Sequence, residues 1–372
     1  MEENHIEPKL EEDETKPKRE KKSWKKVFLI ITIIVVTLLG AFFIYSYYLL
    51  DKIDYDNGKA QLEDEYFEQD ENAENLEEVN PEDVVWGERV HARHEADVIN
   101  ILLVGEEAIN DGGSRGRTDS IMIATIHVKE KSVKLTSIMR DLYVQIPGYS
   151  DNKINAAYHI GGMPLLVETV NQNFDLQLDG YVKVDFDSFE SVIDALGGVE
   201  ITLTKKEANY LNSTNYISNP KYRNVVAGTQ VLNGNQALGY ARIRYVATET
   251  EANDFGRTLR QRNLLTAIFE KYKSKSVVEI LVLLPDILDL ITTDMTKMTM
   301  VEYLYLAVTL KPEELKTMRI PVDDGYRAAR IRGMAVLVPD TLDENVEALH
   351  EFLFGSKNTV VSVTPSSKET DE

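Results

Sequence analysis

Residues 27–50 (VFLIITIIVVTLLGAFFIYSYYLL) carry no charged side chain over 24 positions. A helix needs about 20 such residues to span the hydrocarbon core of a bilayer. This run therefore fixes the chain's relation to a membrane before anything else in it is read. A basic stretch precedes it: Lys16-Pro17-Lys18-Arg19-Glu20-Lys21-Lys22-Ser23-Trp24-Lys25-Lys26. Such flanks stay on the cytoplasmic side. The pattern predicts a cytoplasmic basic tail over 1–26, one transmembrane helix over 27–50, and an extracytoplasmic remainder. Trp24, Tyr45, Tyr47 and Tyr48 fall where interfacial aromatic belts lie. A cleaved signal peptide is the competing reading, but the run is long for one and no small-x-small cleavage site follows.

Composition narrows the chemistry. The chain has no cysteine, which excludes disulfides, thiolate catalysis and Cys-based zinc sites. Its six histidines show no His-Glu-x-x-His spacing, which argues against a zinc hydrolase. The net charge is −21, and no basic block lies outside the N-terminus, so no nucleic-acid partner is expected.

The acidic stretch 51–96 reads as an extracytoplasmic stalk, a solvated spacer with scattered apolar residues. The globular part begins near Asp97 and is expected to run over 97–355, with a core of motifs at 97–272, a C-terminal extension at 273–355, and a disordered tail at 356–372. Val98-Ile99-Asn100-Ile101-Leu102-Leu103-Val104-Gly105 is a buried-strand pattern. Ile121 to Val128 and Val133 to Met139 are two more, joined by Lys129-Glu130-Lys131-Ser132 as a hairpin. Helical spacing links Leu165, Leu166, Thr169, Val170 and Phe174, and again Phe186, Phe189, Ile193 and Leu196 before Gly197-Gly198. Val199 to Leu203 reads as a strand, and 204–233 as a long surface excursion. Interleaved strands and helices predict an α/β fold with a mixed central sheet flanked by helices.

Five short stretches set arginine beside aspartate or beside another arginine at the ends of these elements. They are Arg115-Gly116-Arg117-Thr118-Asp119-Ser120, Arg140-Asp141, Arg242-Ile243-Arg244-Tyr245, Asp254-Phe255-Gly256-Arg257 and Arg260-Gln261-Arg262. Arginine presents a planar fork to phosphate oxygens, and aspartate beside it can hold a divalent cation. A glycine-bearing loop, Asp111-Gly112-Gly113, lies between the first two strands, where ligands of α/β sheets bind. Hairpin pairing predicts Arg140 close to Asp119. Arg242 and Arg244, two apart, are expected to clamp one diphosphate. Asp254 is expected to cap a helix that begins near Arg260 and Gln261, whose N-terminus favours anions. The bland alternative for each stretch is a local salt bridge. The helices around Leu165-Leu166, Phe186, Phe189 and Ile193 could line an apolar cavity, but read first as plain core.

In order along the chain, Asn100-Ile101-Leu102-Leu103-Val104-Gly105, Arg117-Thr118-Asp119-Ser120, Ser137-Ile138-Met139-Arg140-Asp141, Lys153-Ile154-Asn155-Ala156-Ala157-Tyr158, Tyr240-Ala241-Arg242-Ile243-Arg244 and Asp254-Phe255-Gly256-Arg257 resemble the LytR-CpsA-Psr family of membrane-anchored cell-wall enzymes. The resemblance implies a phosphotransferase of the Gram-positive cell membrane. Such an enzyme moves an anionic glycopolymer, teichoic acid-like or capsular, from an undecaprenyl-diphosphate carrier to peptidoglycan, and releases undecaprenyl phosphate. It further implies Arg117, Arg140, Arg242, Arg244, Arg257 and Gln261 on the diphosphate, and Asp119, Arg140, Asp254 and Arg257 in catalysis. Asp119 would hold Mg²⁺ (or Mn²⁺). The family usually has aspartate just after the first strand. Here Glu106-Glu107 stands there, and Glu107 is the candidate second metal ligand. Met139 replaces the family's proline. Three alternatives stay open: a lipid-diphosphate hydrolase, a non-enzymatic polyanion- or lipid-binding envelope protein, and a transcriptional regulator. The span and the external arginines count against the last.

Overall fold

A computed structural model describes residues 24–58, 62–87, 92–107 and 117–355; the side chains of 24–27, Asn72, Glu107, Arg117 and Val308 fall outside the description. The expected basic tail, the Asp111-Gly112-Gly113 loop and the 356–372 tail therefore lie outside it or almost so.

Helix α1 covers Trp24–Leu50, and its Phe28–Leu50 part is long and apolar enough to cross a membrane. It is one compact unit up to Tyr48; the rest of the chain, from Leu49, is a second. In that second unit the chain runs β1 (Asp54–Tyr55), β2 (Val98–Glu107), β3 (Arg117–His127), β4 (Ser132–Ile138), β5 (Tyr143–Val144), β6 (Asn152–Lys153) and α2 (Ile154–Phe174). Next come β7 (Gly180–Asp185), α3 (Phe186–Ala195), β8 (Val199–Leu203), α4 (Lys205–Ser213), β9 (Gly228–Leu232), α5 (Gly234–Arg242) and α6 (Asn253–Lys273). Last are α7 (Val277–Leu288), β10 (Thr292–Thr293), α8 (Lys297–Thr309), β11 (Leu315–Ile320), β12 (Tyr326–Ile331), β13 (Met334–Pro339) and α9 (Leu342–Phe354).

The central sheet has seven strands in the order β1-β10-β7-β2-β3-β4-β11. It is mixed: β2, β3 and β4 form an antiparallel meander, while β7 joins β2 and β11 joins β4 in parallel. The alternation of side chains across a strand gives the sheet two different faces. Leu102 and Val104 of β2 and Ile121 and Ile123 of β3 pack into the main core with Leu166, Val170 and Phe174 of α2. The other face belongs to the site described below. Val199–Leu203 is a strand as read, but it pairs only with β9, in a separate ribbon. The excursion 204–233 is partly regular: α4 opens on a capping box, with Thr204 and Glu207 exchanging hydrogen bonds.

Helix α2 breaks at Gly162, whose φ of 66° is outside helical space. Pro164 two residues on has no N–H to give to the Ile160 carbonyl. The backbone N–H of Glu63 takes that carbonyl instead, at 2.8 Å. Glu63 belongs to the acidic segment read as a spacer, and that segment differs from the reading. Val79 and Val84 are buried with Tyr143, Ile331, Met334 and Val338. Its backbone bonds the β12–β13 hairpin, as Val79 N–H to Arg330 O (2.9 Å) and Arg330 N–H to Glu77 O (2.8 Å). Asp70 accepts from Lys153 Nζ at 2.7 Å and from Ala335 N–H at 3.0 Å. Acidic composition misleads here because the partners come from 80 to 260 residues downstream.

A chain beginning at Asp97 loses these contacts. It should melt below one beginning at Leu49 by several degrees, since each valine buried in an interior contributes at least about 1.5 kcal/mol. Thermal unfolding of the two chains followed by circular dichroism checks this.

Candidate active site

Asp119 is the third residue of β3 and sits at a β-bulge. Gly105 pairs with Ser120 and Glu106 with Thr118, so Asp119 has no opposite number on β2. A bulge re-aims a side chain and leaves a backbone group unpaired. The Asp119 carbonyl accepts from Gln261 Nε2 at 3.3 Å, and its side chain turns to the guanidinium groups.

Three arginines meet it. Arg140 follows β4, opposite Asp119 across the hairpin, and its Nη1 lies 2.8 Å from Asp119 Oδ1. Arg257 of α6 approaches the same oxygen at 3.2 Å, and Arg244, two residues past α5, at 3.6 Å. A second carboxylate, Asp254, is ion-paired with Arg244 (3.0 Å), Arg257 (3.2 Å) and Arg140 (3.5 Å). Asp141 binds Arg140 Nε at 3.4 Å and is itself held by the buried Lys153 at 3.3 Å.

These charges shift one another. Burial works to raise the Asp119 pKa, but the guanidiniums of Arg257, Arg140 and Arg244 outweigh it and hold the carboxyl below its usual range. Asp141 is lowered likewise, against burial, by Arg140 and Lys153. Burial would lower Arg140, yet Asp141, Asp254 and Asp119 drive it up. Arg257 goes the other way: burial and the neighbouring Arg140 guanidinium pull it down to about 10. Only 3% of it is exposed. Nε of Arg257 is buried and has no hydrogen-bond partner among the described residues, while Arg140 Nε and Asp254 Oδ1 have ion pairs but no aligned hydrogen bond. Buried polar groups are rarely left so; an anionic ligand in the recess that Arg257 lines would satisfy its donor.

Two cavities meet at this cluster. A polar recess of about 300 Å³ is lined by Asp119, Asn215, Tyr216, Arg242, Arg244 and Arg257. An apolar cavity of about 180 Å³ lies on the sheet face opposite the main core. Leu103 and Gly105 of β2, Ser120 and Met122 of β3, and Val182 and Val184 of β7 form its floor, in register across the three strands. Phe186 and Phe189 of α3, Leu238 of α5 and Leu264 of α6 contribute to its walls. Asp119, Arg242 and Arg257 line both spaces.

The expected site residues sort as follows. Asp119, Arg140, Arg244, Asp254 and Arg257 converge. Arg242 ends α5, so it is not in extended chain with Arg244; its guanidinium stacks 4.8 Å above the Phe186 ring. Gln261 reaches the cavity but spends its amide on Asp119. Asp254 is not a helix cap: α6 starts at Asn253 with Ala252 as its N-cap, which puts Arg260 and Gln261 two turns inside. Arg260 is no ligand group. It is fully buried, bonded to Glu207 at 2.7 Å and to the carbonyls of Ile243 and Val246, and so fixes the loop that carries Arg244. Arg262 pairs with Glu251. The side chains of Arg117 and Glu107 lie outside the described residues. Glu106 pairs with Lys183 at 3.0 Å. Asn215 and Tyr216, unremarked in the sequence, line the recess; nothing but their place in the excursion marked them.

Among the described residues no three His, Cys, Asp or Glu side chains are placed to hold a metal ion. Mg²⁺ needs less, since one or two protein carboxylates plus substrate phosphates suffice. Asp119 fits that demand, for its three guanidinium contacts all use Oδ1.

A mixed sheet of this order, with an arginine cluster beside an apolar cavity, defines an α/β protein whose site is cationic on one side and apolar on the other. Residues 57–349 match the LytR_cpsA_psr family, and the chain belongs to that family. It is 37% identical over 180 residues to the polyisoprenyl-teichoic acid–peptidoglycan teichoic acid transferase TagV of Bacillus subtilis (strain 168), covering 48% of this chain and 44% of that protein. It is also 37% identical over 172 residues to the regulatory protein MsrR of Staphylococcus aureus (strain COL), covering 46% and 48%. The chain thus spans less than half the length of these curated relatives. The crystal structure of B. subtilis TagV superposes with a TM-score of 0.55 at 28% identity, over 71% of this chain and 100% of that one. TagT bound to LIIa-WTA gives 0.55 at 25% identity, over 73% and 98%.

Two outcomes follow from the charges. Glu207→Ala leaves Arg260 buried without its carboxylate and should destabilise the protein by about 3–5 kcal/mol in urea unfolding. Asp119 has a lowered folded pKa, so its stabilisation is present above the unfolded value of about 3.9 and lost as pH falls below it. The melting-temperature gap between the native chain and Asp119→Asn should therefore hold from neutral pH down to about pH 5 and close below pH 4.

Proposed function

We propose that this protein transfers an anionic glycopolymer from an undecaprenyl-diphosphate carrier to peptidoglycan, on the outer side of a Gram-positive cell membrane. The observation that carries the reading is the shared wall: an apolar cavity and an arginine-lined recess meet at Asp119, Arg242 and Arg257. Only a ligand with a hydrocarbon tail and an anionic head satisfies both. The charge agrees. Arg140, Arg242, Arg244 and Arg257 face two carboxylates, Asp119 and Asp254, while Asp141 is answered by Lys153. The recess lining itself carries three guanidiniums, Arg242, Arg244 and Arg257, to one carboxylate, Asp119, which suits an anionic head. TagV, named a teichoic acid transferase, and TagT, solved bound to LIIa-WTA, support the same class of substrate.

In this reading Phe186, Phe189, Leu238 and the strand floor hold the prenyl chain. Arg242, Arg244, Arg257 and Arg140, with Arg117, hold the diphosphate. A hydroxyl of peptidoglycan attacks the phosphorus that carries the polymer sugar. A new P–O bond forms, the bond to the bridging oxygen breaks, and that oxygen leaves on undecaprenyl phosphate with the negative charge. The guanidiniums, already fixed by their carboxylates, stabilise charge as it grows on the bridging and equatorial oxygens. Asp254, in contact with three of them, accepts the hydroxyl proton or keeps the arginines in place for a solvent base. Asp119 stays ionised through the neutral range, which suits a ligand to Mg²⁺ (or Mn²⁺) rather than an acid. With Glu107 as the second ligand, such an ion would neutralise phosphate oxygens when bound.

The test uses the full chain with a polyprenyl-diphosphate sugar and peptidoglycan oligomers. Release of polyprenyl phosphate should yield sugar-linked acceptor. Arg257→Lys, which keeps the charge but loses the fork, should lower kcat by about 10²–10³. Val184→Trp fills the cavity floor and should raise KM for a long prenyl chain by about tenfold or more, with the affinity for inorganic diphosphate unchanged. Release into water with no acceptor product would replace transfer by hydrolysis. Binding without release would leave a lipid-binding protein.

A further inference from the structure

Helix α7 has the sequence VVEILVLLPDIL, apolar on nearly every side. Ile280, Leu283 and Ile287 are half-buried, Leu288 is buried, and α7 packs on α3. The opposite stripe, Val277, Val278, Leu281 and Val282, faces outward; Val278 is 70% and Val282 69% exposed. An amphipathic surface helix puts charges there, and a contiguous apolar patch marks an interaction surface. We infer that this face of α7 rests in the outer leaflet of the membrane.

Three observations choose the bilayer as the occupant. The first is the tether. The membrane span ends at Leu50, and four residues later Asp54 and Tyr55 pair with Thr292 and Thr293, the strand just after α7. Lys52 reaches Asp289, the C-cap of α7, at 3.5 Å. Four extended residues reach about 14 Å at most, so the C-terminal end of α7 is leashed to the point where the chain leaves the bilayer. The second is charge. Lys275 stands two residues before α7 and Lys271 in the last turn of α6, with Lys273 between them held by Glu270, in a chain of net charge −21; anionic headgroups would be met there. The third is placement. α3, against which α7 packs, supplies Phe186 and Phe189 to the apolar cavity. A docked α7 brings that wall to the leaflet. A lipid chain could then enter with little exposure to water. The inference rests on α1 being a membrane anchor, not on the reaction proposed above.

The chain has no cysteine, so single reporters are clean. Val278→Cys, Val282→Cys and Glu347→Cys are made in the full chain, labelled with an environment-sensitive fluorophore, and reconstituted in phosphatidylglycerol–phosphatidylcholine vesicles. Glu347 is exposed on α9, at the β4–β11 edge of the sheet, the far side from β1. Nitroxide-labelled lipids should quench the labels at 278 and 282 at least about threefold more than the label at 347, since such a face sits about 5–10 Å into the headgroup–acyl boundary. Equal quenching at all three positions overturns the inference. Labels at 278 and 282 that are shielded but not quenched, with disulfide-linked dimers of the unlabelled variants, assign the face to a second copy of the chain and overturn it too. A chain that fails to float with the vesicles removes the anchor and the inference together.

Discussion

Three guanidinium groups stand against two carboxylates, and everything else in the site follows from keeping them there. Like charges at this separation repel strongly in a half-buried setting. The cluster holds because its members are fixed from outside. Arg140 is fixed by the end of β4 and by Asp141. Arg257 is fixed by its place in the second turn of α6. Arg244 is fixed by a loop whose carbonyls are tied to Arg260, itself neutralised by Glu207. Asp119 comes from a bulge whose stray carbonyl is closed by Gln261. The result is a preorganised positive recess in a strongly acidic protein. Such a recess costs no reorganisation when an anion arrives.

The network does not stop at the recess. Asp141 joins Arg140 to Lys153, and Lys153 joins Asp70 and Glu68 of the segment that precedes the sheet. Lys153 is raised in pKa, against burial, by Asp141 and Asp70. Its contribution to stability is thus complete below the ordinary lysine range and lost only as pH climbs through its raised value. The arginine cluster is therefore braced by the segment before β2 as well as by the sheet.

Legibility in the sequence followed locality. The hairpin of β3 and β4 was readable because its register is set by alternation and a short turn, and it placed Arg140 opposite Asp119. The mixed sheet was readable from the interleaving of apolar runs with helical spacing. What failed needed a partner far along the chain. Arg260 looked like Arg257 until the buried Glu207 was seen beside it. Asp254 looked like a cap because Asn253, with its positive φ of 52°, gives no sequence sign that a helix starts there. Phe186 and Phe189 have the spacing of core residues. They line a cavity only because Gly105 and Ser120 are small on the strands beneath them. The acidic segment before β2 carries the composition of a spacer, and only the cross-chain hydrogen bonds of Glu63, Asp70 and Val79 show it as part of the fold.

Asp70 sets the order in which the molecule can be completed. Its backbone donates to the Gly333 carbonyl, and its side chain accepts from Lys153 and from the Ala335 amide. No stretch shorter than residues 70–335 contains all of these partners. As the chain is made from its N-terminus, Asp70 is in place long before these last two partners. Its contact with Lys153 can form early, but its two bonds to the β12–β13 hairpin wait for residues 333 and 335, so that corner of the fold is a late, high-contact-order event. A chain ending after α6 but before β13 would carry the site's arginines and their Lys153 brace, with the Asp70 corner still open on its hairpin side.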